Sequence, residues 1–373
     1  MIVLFWFSFS FLLYAFAGYP ALVRIAAALW GKKILRDENS APSVSVLLSV
    51  YNEESVIGQK IENFLALDYP ADRIELLVIS DGCTDRTEEI VRSCATTRVR
   101  LFIQEERGGK TLALNRGASE AKGEILVFTD ANSMFRPESI RKLVAPFADA
   151  TVGLVSGRSI YVDSEGNETL GGVYRRYEEW IKEGESGLFS IVGADGAIYA
   201  LRRDIFEPLR PEYINDLLHP IQVVARGLMA VCESEAVALE GVEEDSGAEL
   251  RRQTRIMAQS WLLCLRFLGA LLQSGRLGFF WQLVSHKIVR WLTLPFLFFL
   301  GVSAIAGAGN GGFQVLALCG LLGLSALAWS GFRGRGGLSR AAWMFFILHW
   351  AALLGLVRLA GGERFVTWNP GRG

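Results

Sequence analysis

The chain has 373 residues, more than one ordinary domain needs. Hydrophobic residues make up 51% of it and charged residues 21%, and the mean hydropathy is +0.29, so part of the chain is unusually apolar. A formal net charge of −1 supplies no basic field for nucleic acid, and five scattered cysteines and three scattered histidines form neither a disulfide framework nor a Cys/His metal centre. Unpaired cysteines fit a reducing compartment for the soluble part.

Residues 1–30 are almost continuously apolar, broken by Arg24 and followed by Lys32, Lys33 and Arg36. About 20 such residues cross a bilayer. No basic residue precedes the stretch and the positive charges follow it, so residues 1–36 read as an uncleaved anchor with the next domain in the cytosol, at an inner (cytoplasmic) membrane. Residues 37–259 read as a soluble domain. Strand patterns at 43–50, 74–80, 99–104 and 125–129 alternate with helical patterns at 54–66, 85–94, 111–121 and 137–147. Asp85 is placed to cap the second helix, and Pro137 opens the fourth. This alternation predicts βαβ units, an α/β fold with a mostly parallel sheet and helices on both faces. After residue 152 the pattern is mixed, with a helix expected around 173–183 and a strand around 197–201.

The last third is apolar again. Residues 260–280 are expected to hold an interfacial helix, because the stretch 261–272 is short for a span and contains Arg266. Residues 281–373 are expected to hold about three spans, at 283–306, 313–329 and 342–359. Lys287 and Arg290 mark the cytosolic entry of the first. Arg333, Arg335 and Arg340 favour a cytosolic loop between the other two. This scheme leaves the C-terminus on the side away from the soluble domain, in mild conflict with Arg364 and Arg372.

In a parallel α/β sheet, ligands bind beyond the carboxyl ends of the strands. Tyr51, Asn52 and Glu53 follow the first strand, Asp81-Gly82 the second, and Asp130-Ala131-Asn132 the fourth. Asp, Asn and Gly are ordinary loop residues, so any one of these sites could be a turn. Three acidic strand ends on one sheet edge point to a site.

The stretches VSVLLSVYNEE, LLVISDGCTDRT, GGKTLALNRG, ILVFTDANSMF, GADGAIYALRR and IND occur in the order found in family 2 glycosyltransferases. The chain from Val44 to about Arg255 resembles that family, and membrane-bound polysaccharide-synthase-like members in particular. The resemblance implies a GT-A fold, with a Rossmann-like mixed sheet, flanked here by transmembrane helices. It implies inverting transfer of a sugar from a nucleotide-sugar donor, UDP-linked, to a lipid-linked or growing glycan acceptor. It also implies a divalent metal, Mg²⁺ or Mn²⁺. A leaving nucleoside diphosphate gains negative charge, and a divalent cation stabilises that charge through oxygen ligands.

By the same resemblance Asp130 is the metal-binding carboxylate, and Asn132, where the family has a second Asp, is a weaker ligand. Asp81 contacts the base of the nucleotide, with Tyr51, Asn52 and Glu53 lining the nucleoside pocket. Lys110 approaches the diphosphate at a helix start, where anions are favoured. Asp216, in Asn215-Asp216, is the general base that takes the acceptor proton, with His219 the next candidate. Asp195 lies under the acceptor or donor sugar. Arg255 stands where processive synthases have the Arg of Gln-x-x-Arg-Trp, while Arg252 and Ile256 replace the Gln and the Trp. The missing aromatic platform argues against processive synthesis, although Trp261 is nearby. His349 in the last span reads as either functional or interhelical packing. The expected partners are the sugar donor, a lipid-linked or glycan acceptor, membrane lipid and an export subunit, with no nucleic acid. Two other readings are a nucleotidyltransferase, which would need a glycine-rich loop that Tyr51-Asn52-Glu53 does not provide, and a nucleotide- or glycan-binding scaffold. The Asp81, Asp130 and Asp216 set speaks against a scaffold.

Overall fold

The computed structural model describes residues 1–162, 172–241, 246–309, 311–334 and 336–367. Arg335 and Arg372, used above to orient the chain, lie outside the described residues. The chain opens with α1 (Ile2–Leu13) and α2 (Tyr19–Trp30), continuous through a π turn over Tyr14–Gly18. There follow β1 (Val44–Val50), α3 (Ile57–Leu65), β2 (Ile74–Asp81), α4 (Thr87–Ser93), β3 (Val99–Gln104), α5 (Lys110–Glu120), β4 (Ile125–Thr129) and β5 (Ser133–Phe135). Then come α6 (Ser139–Val144), β6 (Val152–Val162), α7 (Gly172–Leu188), β7 (Ile198–Arg202), α8 (Asn215–Ala225), β8 (Met229–Gly241) and α9 (Ser246–Gln273). The chain finishes with α10 (Leu277–Leu283), α11 (Thr293–Gly307), α12 (Gly312–Phe332) and α13 (Leu338–Ala360).

The strands form one eight-stranded sheet in the order β3-β2-β1-β4-β7-β6-β8-β5. β3, β2, β1 and β4 run parallel, as the βαβ pattern requires. β7 is antiparallel to β4 and to β6, β8 is parallel to β6, and β5 is antiparallel to β8. The sheet is therefore mixed, and only its first half is wholly parallel. Parallel strands covered on both faces need side chains that are apolar on both. In β1, Val44, Val46, Leu48 and Val50 pack with Ile57, Ile61 and Phe64 of α3, whereas Leu47 faces Ala113 and Leu114 of α5.

Local chemistry sets the helix ends. Asp85 Oδ1 accepts the Thr87 N–H at 3.0 Å in the turn before α4, whose N-cap is Arg86 rather than the expected Asp85. The helix expected over 137–147 is α6 followed by a 3-10 turn at Ala145–Ala148, because Pro146 has no N–H to donate.

Among the described residues four helices are long and apolar enough to cross a membrane: Ile2–Trp30, Gly247–Gln273, Gly312–Phe332 and Leu338–Ala360. The span expected at 283–306 takes the form of a bent pair, Leu277–Val289 and Thr293–Gly307, at 59°, which makes a fifth span if the pair crosses as one. Pro295 lies in the first turn of α11 and cannot donate to the turn before it, which breaks the helix there. α1 packs on α11 and α12, with Phe5 against Leu300 and Ala304, and Phe11 stacked on Phe296 at 3.6 Å. α2 rests instead on α7, where Lys32 N–H donates to Gly187 O at 3.0 Å.

α9 has the length of a span, but its far end meets the sheet domain. Gln259 at its middle donates to Phe365 O in the segment after α13, and Arg276 just past its end lies against Gly227. Its inner face buries Trp261, Leu263, Cys264 and Leu271 with Tyr213, Leu217, Leu218 and Ile221. Its outer face exposes Leu265 and Leu272.

The C-terminal segment departs from the far-side end that the span scheme gave it, in the sense that Arg364 suggested. Val366 O lies where a Cβ on Gly109 would come within 2.3 Å of it, and Phe365 O accepts the Gln259 bond at 3.0 Å. The segment after α13 thus returns to the domain rather than leaving on the far side. The reason is that α13 packs along α9, with Trp261 Nε1 donating to Ala352 O at 3.0 Å and Gly355 against Met257 and Ala258.

Candidate active site

β2 ends on Asp81, and Gly82 turns the chain at φ 72°. The Asp81 carboxylate is buried and accepts two backbone N–H groups, Gly108 at 2.7 Å and Gly109 at 2.8 Å. A carboxylate oxygen has lone pairs left after one such bond. Asp81 thereby fixes the glycine loop that opens α5. Gly109 has φ 88°, a conformation that side-chain-bearing residues rarely adopt. The next residue, Lys110, points across to β4 and pairs with Asp130 Oδ1.

The Asp130-Ala131-Asn132 turn sits on a lysine that sequence reading missed. Lys60 is 1% exposed; its Nζ donates to Thr129 Oγ1 at 3.0 Å and to the Ser133 carbonyl, and stands 4.0 Å from the Phe135 ring centroid. Burial pulls its pKa down to about 7, against the pull of Asp130 and Glu240. A signal existed: Lys60 interrupts the apolar stripe Ile57, Ile61, Phe64 on the inner face of α3. Glu240, at the end of β8, also escaped notice and had no motif to reveal it. It accepts the Ser133 hydroxyl at 2.9 Å, and burial, with Asp195 and Asp130, raises its pKa.

The loop after β1 is tied to the loop after β2. Asn52, at φ 52°, accepts the Thr84 N–H on Oδ1 at 2.8 Å and donates from Nδ2 to Thr84 Oγ1 at 3.1 Å. Glu53 N–H donates to Thr87 Oγ1 at 2.8 Å. The Tyr51 ring carries the Arg107 guanidinium at 3.5 Å from its centroid, so Arg107 joins this wall of the site.

Asp216 stands in the first turn of α8, and its carbonyl accepts the Ala194 N–H at 2.8 Å. Its Oδ2 lies 3.1 Å from where a Cβ on Gly196 would be, so glycine there leaves room for the carboxylate. Burial pushes the Asp216 pKa above the ordinary carboxylate value. Asp130 adds to the rise, and Lys110, Lys287 and Lys182 oppose it. This mutual influence brings Asp216, Asp130 and Lys110 into one electrostatic unit. Arg255 of α9 feels the charges of Asp216 and Asp130, and its Nη1 donates to Gln259 at 3.2 Å.

Two residues have structural duties. Asp195 accepts Ser159 N–H at 2.9 Å and Ser159 Oγ–H at 2.6 Å on Oδ2, and Ala197 N–H at 3.2 Å on Oδ1. Burial works against its charge, but Arg175, Lys182 and the Ser159 bonds hold its pKa below the usual range. His219 is 1% exposed, with Nδ1 3.0 Å from the Tyr199 hydroxyl, which also accepts from Asn215 Nδ2 at 2.5 Å. Burial drives the His219 pKa down to about 3, so it stays neutral and is a poor base.

Oxygen donors dominate the site. Among the described residues no three His, Cys, Asp or Glu side chains converge to hold a metal. The Asp130 carboxylate and the Asn132 amide are oxygen donors of the kind a hard divalent cation takes. In this structure Asp130 Oδ1 pairs with the Lys110 ammonium.

The glycosyl transferase family 2 model matches residues 45–209. A probable glycosyltransferase of Bacillus subtilis, YdaM, is 28% identical over 276 residues, covering 70% of this chain and 64% of that protein. The β-monoglucosyldiacylglycerol synthase of Synechocystis sp. is 32% identical over 121 residues, covering 31% of this chain and 25% of its own length. The chain thus spans less than two thirds of these relatives. The mannosyltransferase PcManGT from Pyrobaculum calidifontis, solved with GDP-Man and Mn²⁺, aligns with a TM-score of 0.72 at 23% identity, covering 97% of this chain and 100% of that one. At that identity the likeness is one of fold. On the family match, the ordered motifs and the mixed sheet, residues 45–209 carry a glycosyltransferase family 2 domain, and the chain has a GT-A fold.

Proposed function

We propose that the chain is an inverting, metal-dependent glycosyltransferase. On this reading it takes sugar from a UDP-linked donor in the cytosol and passes it to a lipid-linked acceptor at an inner membrane. Residues 1–36 anchor it, 37–259 carry the catalytic fold, 260–280 lie at the interface, and 281–373 complete the membrane region. The observation that carries the reading is the Asp216 carboxylate, its pKa raised by burial and coupled to the Asp130–Lys110 pair. One group is suited to accept a proton while its neighbours are suited to hold a diphosphate.

In this mechanism Asp81 and the loop of Tyr51, Asn52 and Glu53 bind the nucleoside, and Lys110 steadies the diphosphate. A divalent ion, when bound by Asp130 with Asn132, stabilises the charge of the leaving group. Asp216 receives the proton of the acceptor hydroxyl as its oxygen bonds to the anomeric carbon from the face opposite the donor. The bond from that carbon to the diphosphate breaks, and the nucleoside diphosphate leaves with the bonding pair. The GDP-Man in the Pyrobaculum enzyme makes GDP-sugars the second donor class to try.

The test offers UDP- and GDP-sugars with Mg²⁺ or Mn²⁺ to the full chain in membranes, and follows nucleoside diphosphate release and labelled product. Metal-dependent release from one donor, lost in Asp216→Asn, is expected. No release from any donor, with lipid extract added, would overturn the proposal. Product size separates single transfer from polymerisation.

A further inference from the structure

The turn that carries Asp130 joins strands that are not neighbours. β4 ends at Thr129 and β5 begins at Ser133, yet β7, β6 and β8 stand between them in the sheet. β4 pairs with β1 and β7, whereas β5 is an edge strand on β8. No ladder bond therefore fixes one end of the Asp130-Ala131-Asn132 turn against the other. The Ser133 N–H donates to the Asp130 carbonyl at 3.2 Å. That bond shapes the turn but does not aim it.

α3 supplies the tie. Lys60 Nζ donates to Thr129 Oγ1 at 3.0 Å and to the Ser133 carbonyl, one acceptor before the turn and one after it. Thr129 Oγ1 donates onward to Ala197 O at 2.9 Å, where the chain enters β7. Asn63, three residues after Lys60 and on the same face of α3, holds both backbone groups of Phe135 in β5 at 2.8 Å each. The Ser133 hydroxyl donates to Glu240 at 2.9 Å. The turn is thus held against α3 on one side and against β8 on the other.

Stability alone does not call for an amine at this place. Lys60 is 1% exposed and interrupts the stripe of Ile57, Ile61 and Phe64. A methionine of similar length would fill that stripe without the cost of taking a charge out of water. The carboxylates whose charges act on Lys60 are Asp130 and Glu240, both at this turn. Its two bonds need two N–H groups, which the amine carries whether charged or neutral. The turn itself offers one carboxylate and one amide, so a divalent cation would depend on how well both are aimed.

We infer that Lys60 is a positioning residue for the metal turn: it bridges Thr129 and Ser133, and so aims Asp130 and Asn132 at a divalent cation. The inference rests on the reading of Asp130 as the metal carboxylate. It adds a residue that acts through the turn and not on the substrate.

The test is calorimetric binding of UDP and of GDP to the full chain in detergent, each with Mn²⁺ and with the metal chelated. The quantity read is the ratio of the two affinities for the nucleotide that binds more tightly. In Lys60→Met that ratio is expected to fall about tenfold or more, while the metal-free affinity stays within about twofold of wild type, because the nucleoside contacts do not run through Lys60. Thr129→Val removes one acceptor and leaves the amine, and it should lose part of the same ratio. Should Lys60→Met fail to fold, an unchanged ratio in Thr129→Val overturns the inference. So does an unchanged ratio in a folded Lys60→Met, or an equal loss with and without metal, which is what a merely structural lysine would give. A ratio lost in Asp130→Ala but kept in Lys60→Met overturns the role of Lys60 and leaves the metal reading intact. No Mn²⁺ dependence in wild type removes the metal site, and the role of Lys60 falls with it.

Discussion

Asp216 and Asp130 divide the chemistry, and substitutions should separate them. Asp216→Asn is expected to keep nucleoside diphosphate affinity and to lose roughly 10²–10⁴-fold in turnover. Near-normal turnover would remove Asp216 as the base. Asp130→Ala is expected to abolish the part of that affinity that depends on Mn²⁺, and unchanged metal dependence in calorimetry would take Asp130 out of the metal site. The pH profile follows from the raised Asp216 pKa. A base works deprotonated, so kcat/KM should fall as pH drops through a value above the ordinary carboxylate range. A limb at or below about 4 would contradict the assignment. Lys60 gives a stability counterpart. Its folded pKa of about 7 lies below the unfolded value of 10.5, so between the two the unfolded chain binds more protons and stability rises with pH. With metal chelated, the Tm of wild type relative to Lys60→Met should climb from pH 7 to pH 10. A flat difference would mean that Lys60 is not held in the state the burial implies.

At the scale of elements, the parallel half of the domain was readable from the chain. β1, β2 and β4 are runs dominated by Val, Leu, Ile and Phe, each followed by polar loop residues, and that pattern leaves few alternatives for a strand buried on both faces. The second half was less readable. β7 was expected near 197–201, but β6 and β8 carry Ser156, Ser159 and Glu233 in buried positions, so hydrophobic period alone does not mark them. The site shows the same division. Tyr51, Asn52, Glu53, Asp81, Asp130 and Asp216 lie in motifs at element ends, whereas Lys60, Glu240, Lys182 and Lys287 reach the site through packing between distant elements. Gly109 makes the dependence on packing testable. Its φ of 88° and the Val366 carbonyl leave no room for a Cβ. Gly109→Ala should therefore tilt the start of α5 away from Asp81 and weaken nucleoside diphosphate binding, at a cost of about 1–2 kcal/mol from backbone strain alone. Wild-type affinity in calorimetry would show that this loop does not position the donor site.

At the scale of the molecule, hydropathy and packing divide the chain differently. Composition changes near residue 259, yet α9 runs unbroken from Ser246 to Gln273 through that point. Leu217, Leu218, Ile221 and Val224 of α8 are buried against Trp261, Leu263, Phe279 and Leu283, which lie beyond it. α8 also carries Asp216, so the floor that holds the base is built from segments that read as membrane region. A chain ending at residue 259 would expose those four side chains, at roughly 25 cal/mol for each Å² of apolar surface returned to water. It would also remove Lys287 and the His286 and Arg290 contacts to Glu178. Such a shortened chain is expected to bind nucleoside diphosphate weakly, to aggregate, and to show no transfer even when lipid acceptor is supplied in detergent. A chain ending at residue 290, after the π turn at Val284–Val289, keeps this floor and should retain metal-dependent nucleoside diphosphate binding, though Phe365 and Val366 no longer cover Gly109. If the shorter chain proved soluble and bound donor as well as the full chain does, α9 and α10 would be membrane attachments only, and the base would be held by the sheet domain alone.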